Sequence, residues 1–251
     1  MKRVVAVVAV LVSCVAVAYV LPGGSILRRM VTERDELKLS GVRVEGSLSF
    51  SGVAVKEAGA ALGTATDRPD VQGDGALYLR IPGRCRFEAV VPDGNARAAV
   101  VQVSGRKRVE GHEIPSLSAM LAQVCPLFAA GGGPVQQLKE SVQAHLQGLG
   151  VDTSRTGLAR FGGEVAYVLG DMAEGRPQFW VYKDGFRPAR LRYTDSTNTA
   201  WDLRFLDYTS PAIGDAMPRT IEVWRGGQRA VRFTALKGDA RATLPDKLFT
   251  P

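Results

Sequence analysis

From Val42 to Phe50 the chain alternates with period two: Val42, Val44, Leu48 and Phe50 face one way, and Arg43, Glu45, Ser47 and Ser49 the other. One dry and one wet face describe a strand of an antiparallel sheet covered on a single side. Segments of the same kind recur at 76–81, 84–91, 97–103 and 106–110. Pro82-Gly83, Pro92-Asp93-Gly94 and Ser104-Gly105 separate them, each with the chemistry of a tight turn. From Gly157 the strands resume, at 164–169, 178–183, 189–193, 200–208, 220–224 and 230–236. Hairpin turns are expected at Lys183-Asp184-Gly185, Asp195-Ser196-Thr197-Asn198 and Arg225-Gly226-Gly227. Residues 51–75 are small, polar and glycine-rich, and read as a loop or frayed hairpin.

Three segments carry the helical period instead. Over 25–37, Ile26, Leu27, Met30, Val31 and Leu37 fall on one stripe. Ser116 is placed to cap a helix over 117–128, and Pro134 opens another that runs to about residue 149. Ala129-Ala-Gly-Gly-Gly-Pro134 joins these two. It lacks the lysine and spacing of a phosphate loop and reads as a hinge. A long meander with helices packed on one face is a single α+β domain.

A sheet of about ten strands or more twists and curls rather than staying flat. Its dry face is expected to carry Leu48, Phe50, Leu77, Leu79, Phe87 and Tyr167, then Leu169, Trp180, Leu191, Trp201, Leu203 and Phe205. The helical insert adds Leu117, Met120, Leu121, Val124 and Phe128. Two or three short helices do not easily fill the concavity of a curled sheet, so apolar space is expected there, of the kind that takes acyl chains. On that expectation, Arg at position 121 or 203 removes ligand uptake and leaves the sheet intact.

Met1-Lys2-Arg3 followed by an apolar run from Val4 to Leu21 and by Pro22-Gly23-Gly24 is the layout of an export signal. Residues 1–24 are therefore read as signal peptide or membrane anchor, and 25–251 as the lipid-binding domain. Three fates stay open: cleavage after Ala16-Val17-Ala18, lipidation at Cys14 within Leu11-Val12-Ser13-Cys14, or retention as an anchor. Each places the protein in the periplasm or cell envelope. In that oxidising compartment Cys85 and Cys125 remain as a pair, either a disulfide or two buried thiols. Of the net charge of +7, Lys2 and Arg3 belong to the leader; the remaining 30 basic and 25 acidic residues leave +5. That excess is dispersed, without the basic and aromatic clusters that bind nucleic acid.

Enzyme chemistry finds little support. His112 lies in a polar loop, and His145 has no metal-ligating neighbour one helical turn on. No G-x-S-x-G elbow occurs, neither Cys85 nor Cys125 stands beside a general base, and Asp93, Asp184, Asp195 and Asp215 sit where turns form. No cofactor, no metal and no catalytic residue is expected.

Several segments resemble the LolA-like carriers of outer-membrane lipoproteins and the related LolB receptors. Gly75-Ala-Leu-Tyr-Leu-Arg-Ile-Pro82 with Arg84-Cys-Arg-Phe87 is similar to the family's "G-x-φ-x-φ-(K/R)-x-P … F" hairpin. Val100-Val-Gln-Val-Ser-Gly-Arg-Lys107 stands where the family has a strand, a "DGK"-like turn and the next strand. Gln178-Phe-Trp-Val-Tyr-Lys-Asp-Gly-Phe-Arg-Pro-Ala-Arg-Leu191 is similar to its aromatic hairpin, and Leu244-Pro-Asp-Lys-Leu-Phe-Thr-Pro251 to its closing "F-x-P" segment. The resemblance, over about residues 25–251, implies a strongly curved antiparallel half-barrel with helices covering the concave face. It implies shielding of lipoprotein or other lipid acyl chains on their way to the outer membrane. It departs at one point. Where the family has a lid-holding arginine just before the hairpin proline, this chain has Ile81, with Arg80 on the opposite strand face. A carrier, monomeric and exchanging with inner- or outer-membrane partner proteins, is the resulting expectation; an envelope sensor that binds a protein partner with the same fold is the alternative.

Overall fold

The computed structural model describes residues 20–250; the leader with its cleavage and lipidation motifs falls, but for its last few residues, outside them. Helix α1 (Gly23–Glu36) leads into β1 (Gly41–Ser51), α2 (Val53–Leu62), β2 (Asp70–Arg80), β3 (Arg84–Val90), β4 (Arg97–Val103) and β5 (Arg106–Glu110). Two helices follow, α3 (Pro115–Phe128) and α4 (Val135–Gly148). Seven strands complete the sheet: β6 (Thr156–Phe161), β7 (Glu164–Gly170), β8 (Gln178–Tyr182), β9 (Pro188–Thr194), β10 (Ala200–Leu206), β11 (Thr220–Arg225) and β12 (Gln228–Asp239). A short 3-10 turn at Asp246–Leu248 precedes the chain end.

All twelve strands form one open antiparallel sheet, in the order β5-β4-β3-β2-β1-β12-β11-β10-β9-β8-β7-β6. Each pairing joins strands consecutive in the chain, with β1–β12 as the exception that links the two arms. A bulge between Glu45 and Gly46 bends that seam. Only glycine fits there: a Cβ on Gly46 would lie 2.0 Å from the Thr234 carbonyl oxygen. The helices lie on the concave side, and one large apolar core joins them to the inner faces of the strands.

The stretch expected as a loop, 51–75, instead holds α2 and the first half of β2. Ala54, Ala58, Ala61 and Leu62 recur at helical spacing and are buried against the sheet. The small size of the three alanines lets the helix backbone approach closely. Gly63, at φ +70°, ends it in the left-handed conformation that glycine adopts without strain.

The start of α3 is also held differently from the expectation. Ser116 does not cap it: Pro115 occupies the first turn, and the buried Ser116 hydroxyl has no partner. The cap comes from α2. Glu57 Oε2 accepts the Ser116 N–H at 3.0 Å, while Oε1 pairs with Arg225 of β11 at 2.7 Å. A carboxylate at a helix N-terminus complements the unbonded N–H groups and the helix dipole. Glu57→Ala is expected to destabilise the fold by about 1.5–3 kcal/mol, as loss of a charge-assisted hydrogen bond does. A lowered urea midpoint at unchanged slope would register this, and an unchanged midpoint would show that the cap is dispensable.

Cys85 of β3 and Cys125 of α3 are bonded, with Cα atoms 5.8 Å apart. The helix most deeply set in the concavity is thereby fixed covalently to the sheet beneath it.

Candidate functional site

All but one of the side chains expected to line the hollow lie in the concave-side core: Leu48, Phe50, Leu77, Leu79, Phe87, Leu117, Met120, Leu121, Val124, Phe128, Tyr167, Leu169, Leu191, Trp201, Leu203 and Phe205. Trp180 does not. It sits on the outer face with Ala166, Val168, Tyr182 and Ala189, opposite Val168 in register. There Arg190 stacks on Trp180 and Phe161 and makes a two-pronged pair with Asp202 at 2.7 and 2.6 Å. Strand β8 is buried on both faces, so its sequence lacks the alternation that would have told Phe179 from Trp180.

At these positions the concave side is packed rather than hollow. The sixteen side chains are 0–6% exposed. Phe87 meets Phe233 edge-on at 5.3 Å, and Phe128 meets Phe205 at 5.2 Å. The unforeseen α2 accounts for part of the filling, since Ala54, Val55, Ala58, Ala61 and Leu62 occupy space that three helices would have left. The expected hollow is corrected accordingly.

Apolar space remains at one end of the half-barrel, where α1 and the last turn of α3 stand off from the loops after β8 and β10. This pocket measures about 190 Å³. Its walls are Met30, Val31 and Leu37, then Leu127, Phe128 and Ala130, then Gly185, Phe186, Pro188 and Tyr208, with Glu33, Arg34, Arg187 and Asp215 among them. The turn side is braced by aromatics: Phe186 stacks on Tyr167 at 5.7 Å, and Tyr208 donates its hydroxyl to the Pro188 carbonyl at 2.7 Å. Arg29 lies over the outer side of Phe186, and Arg187 pairs with Asp215 at 2.6 Å.

Arg34 ties α1 to the neighbouring walls of the pocket. From α1 its Nε donates to the Phe128 carbonyl at 2.9 Å, Nη2 donates to the same oxygen, and Nη1 donates to the Ala216 carbonyl. The guanidinium also stands over the Phe128 ring at 5.4 Å. Phe128 ends α3, so a cation meets the negative end of that helix. Desolvation pulls the Arg34 pKa down to about 10. Arg80, as its strand position implies, is on the outside, tied with Arg84 to Asp246. Ile81 leaves no arginine at the position where the resemblance would put one. The role of Arg34 was not foreseen, although Arg34 stands three residues after Val31 and four after Met30, on the stripe that α1 buries.

His112 is exposed in its loop, and no cluster of three metal-ligating side chains occurs among the described residues. His145, partly buried on α4, shares a hydrogen bond with Gln123 Oε1 at 2.8 Å, and Gln123 donates to the Tyr193 hydroxyl at 3.3 Å. Burial lowers the His145 pKa below its usual 6.5. Below pH 6.5 the unfolded chain therefore binds a proton that the folded chain resists, and stability falls with pH. His145→Gln is expected to flatten that part of the stability–pH curve; an unaltered slope would place its origin elsewhere.

No family model matches the chain, and no curated protein matches it significantly. Solved structures do. A LolA superfamily protein from Nitrosomonas europaea is similar over 92% of this chain and 99% of that one, at 13% identity and a TM-score of 0.51. This chain shares the fold of that LolA superfamily protein. A DUF1329 family protein from Desulfovibrio piger matches 92% of this chain and 98% of its own at 13% identity, with a TM-score of 0.48. The Pseudomonas aeruginosa MucA/MucB complex matches more remotely, at 16% identity and a TM-score of 0.29, over 90% of this chain and 61% of that one. Gly75–Phe87 spans the β2–β3 hairpin and Gln178–Leu191 the β8–β9 hairpin. The closing segment straps the outer face, with Leu244 and Phe249 buried against Val101.

Proposed function

We propose that this LolA-like protein is an exported, non-enzymatic lipid-binding protein of the periplasm or cell envelope, and that it receives an acyl chain at the pocket beside Arg34. One observation carries this reading: apolar side chains from two helices and two loops converge on open space at one end of a half-barrel whose interior is otherwise filled. Disulfide-bonded α3 is fixed to β3, whereas α1 is clasped by Arg34 without a covalent tie, so enlargement of the pocket runs through movement of α1. Among the described residues no helix is long and apolar enough to cross a membrane.

Native mass spectrometry of the protein recovered from the envelope of cells expressing the full chain tests the reading. A one-to-one lipid adduct is expected, and Leu37→Trp, which fills the pocket from its partly exposed wall, should weaken it at least tenfold. Recovery of a single protein partner in stoichiometric amount and no lipid would instead support an envelope sensor.

A further inference from the structure

The wall of the pocket is not simply greasy. It holds four charged side chains, and their arrangement is unequal. Arg187 and Asp215 neutralise each other at 2.6 Å. Glu33 is exposed to water. Arg34 is partly withdrawn from water, and among the described residues no carboxylate lies within 4 Å of it; its acceptors are two backbone carbonyls. A guanidinium has five N–H donors, of which three are engaged here, leaving one on each Nη. One free N–H on each Nη of a partly desolvated cation can meet the oxygens of a carboxylate or phosphate, and such pairs strengthen as water is excluded. The pocket, at about 190 Å³, is smaller than the ~300–1,000 Å³ of drug-sized ligand sites and has room for one chain rather than a bundle of them.

We infer that the pocket is built for a single-chain anionic amphiphile, with its tail against Met30, Val31, Leu127 and Phe186 and its charged head on Arg34. This rests on the acyl-chain reading above and narrows it to a ligand class.

Calorimetric titration of the protein with dodecanoate, dodecyl phosphate and dodecanol separates the possibilities. At least one anion is expected to bind tenfold or more tightly than the alcohol, and the preferred anion identifies the head group. Arg34→Met should bring that anion to the level of the alcohol. Equal binding of all three by the unaltered protein, or an anion preference that survives Arg34→Met, overturns the head-group assignment and spares the acyl-chain reading. Failure of all three to bind overturns both. The comparison among ligands needs no variant, so it stands even if Arg34→Met folds poorly.

Discussion

Leu203→Arg is expected to unfold the domain. Leu203 of β10 is fully buried, as is Leu121 of α3, and both belong to the concave-side core. Removing a packed leucine there forfeits about 2–5 kcal/mol. Placing an arginine in its stead adds the desolvation of an unpaired charge, several kcal/mol more. The sum rivals the whole stability of an ordinary domain, about 5–15 kcal/mol. A hollow lined by Leu203 would have predicted the reverse, a folded protein that merely loses its ligand. Near-ultraviolet circular dichroism and a thermal melt decide between them: loss of the cooperative transition is expected, and a melt close to that of the parent would mean that the concavity contains room after all.

Removing the disulfide is expected to have the next largest effect. The bond closes a segment in which Cys85 and Cys125 are 40 residues apart. In the chain-entropy description a loop of that length is worth about 4 kcal/mol. For a chain of this size that corresponds to a fall of roughly 8–16 °C in Tm. Cys85→Ala/Cys125→Ala, compared with the parent under oxidising conditions, measures it. The double variant should also exchange the amides of α3 faster than those of α4. A Tm within 2 °C of the parent would show that packing alone holds α3.

The alternating pattern made the sheet legible in the sequence. Val42–Phe50 fixed the inner face of β1, and turn chemistry at Pro82-Gly83, Ser104-Gly105 and Gly226-Gly227 placed hairpins where the structure has them. Three things were not legible, each for its own reason. Helix α2 was hidden because its buried face is made of alanine, which carries a helical period but little apolar contrast. The face of Trp180 was ambiguous because β8 is covered on both sides. The filling of the concavity is a matter of volume, and periodicity reports which way a side chain points without reporting what it meets. The pocket itself is assembled from α1, the end of α3 and the loops following β8 and β10, far apart in the chain. Only Phe128 among its walls was anticipated as a site residue, and Arg34 stood on the buried stripe as a charge that a closer reading would have questioned.

The pairing of β1 with β12 bears on how the molecule comes into being. Every other neighbour in the sheet is the next strand in the chain, so the β1–β5 arm can pair before the second arm is made. The far side of β1, by contrast, waits for a strand made almost two hundred residues later. During that interval it presents a bare ladder of amide and carbonyl groups, the kind of edge that recruits foreign strands. Topology alone thus leaves that edge of β1 open until β12 has been made.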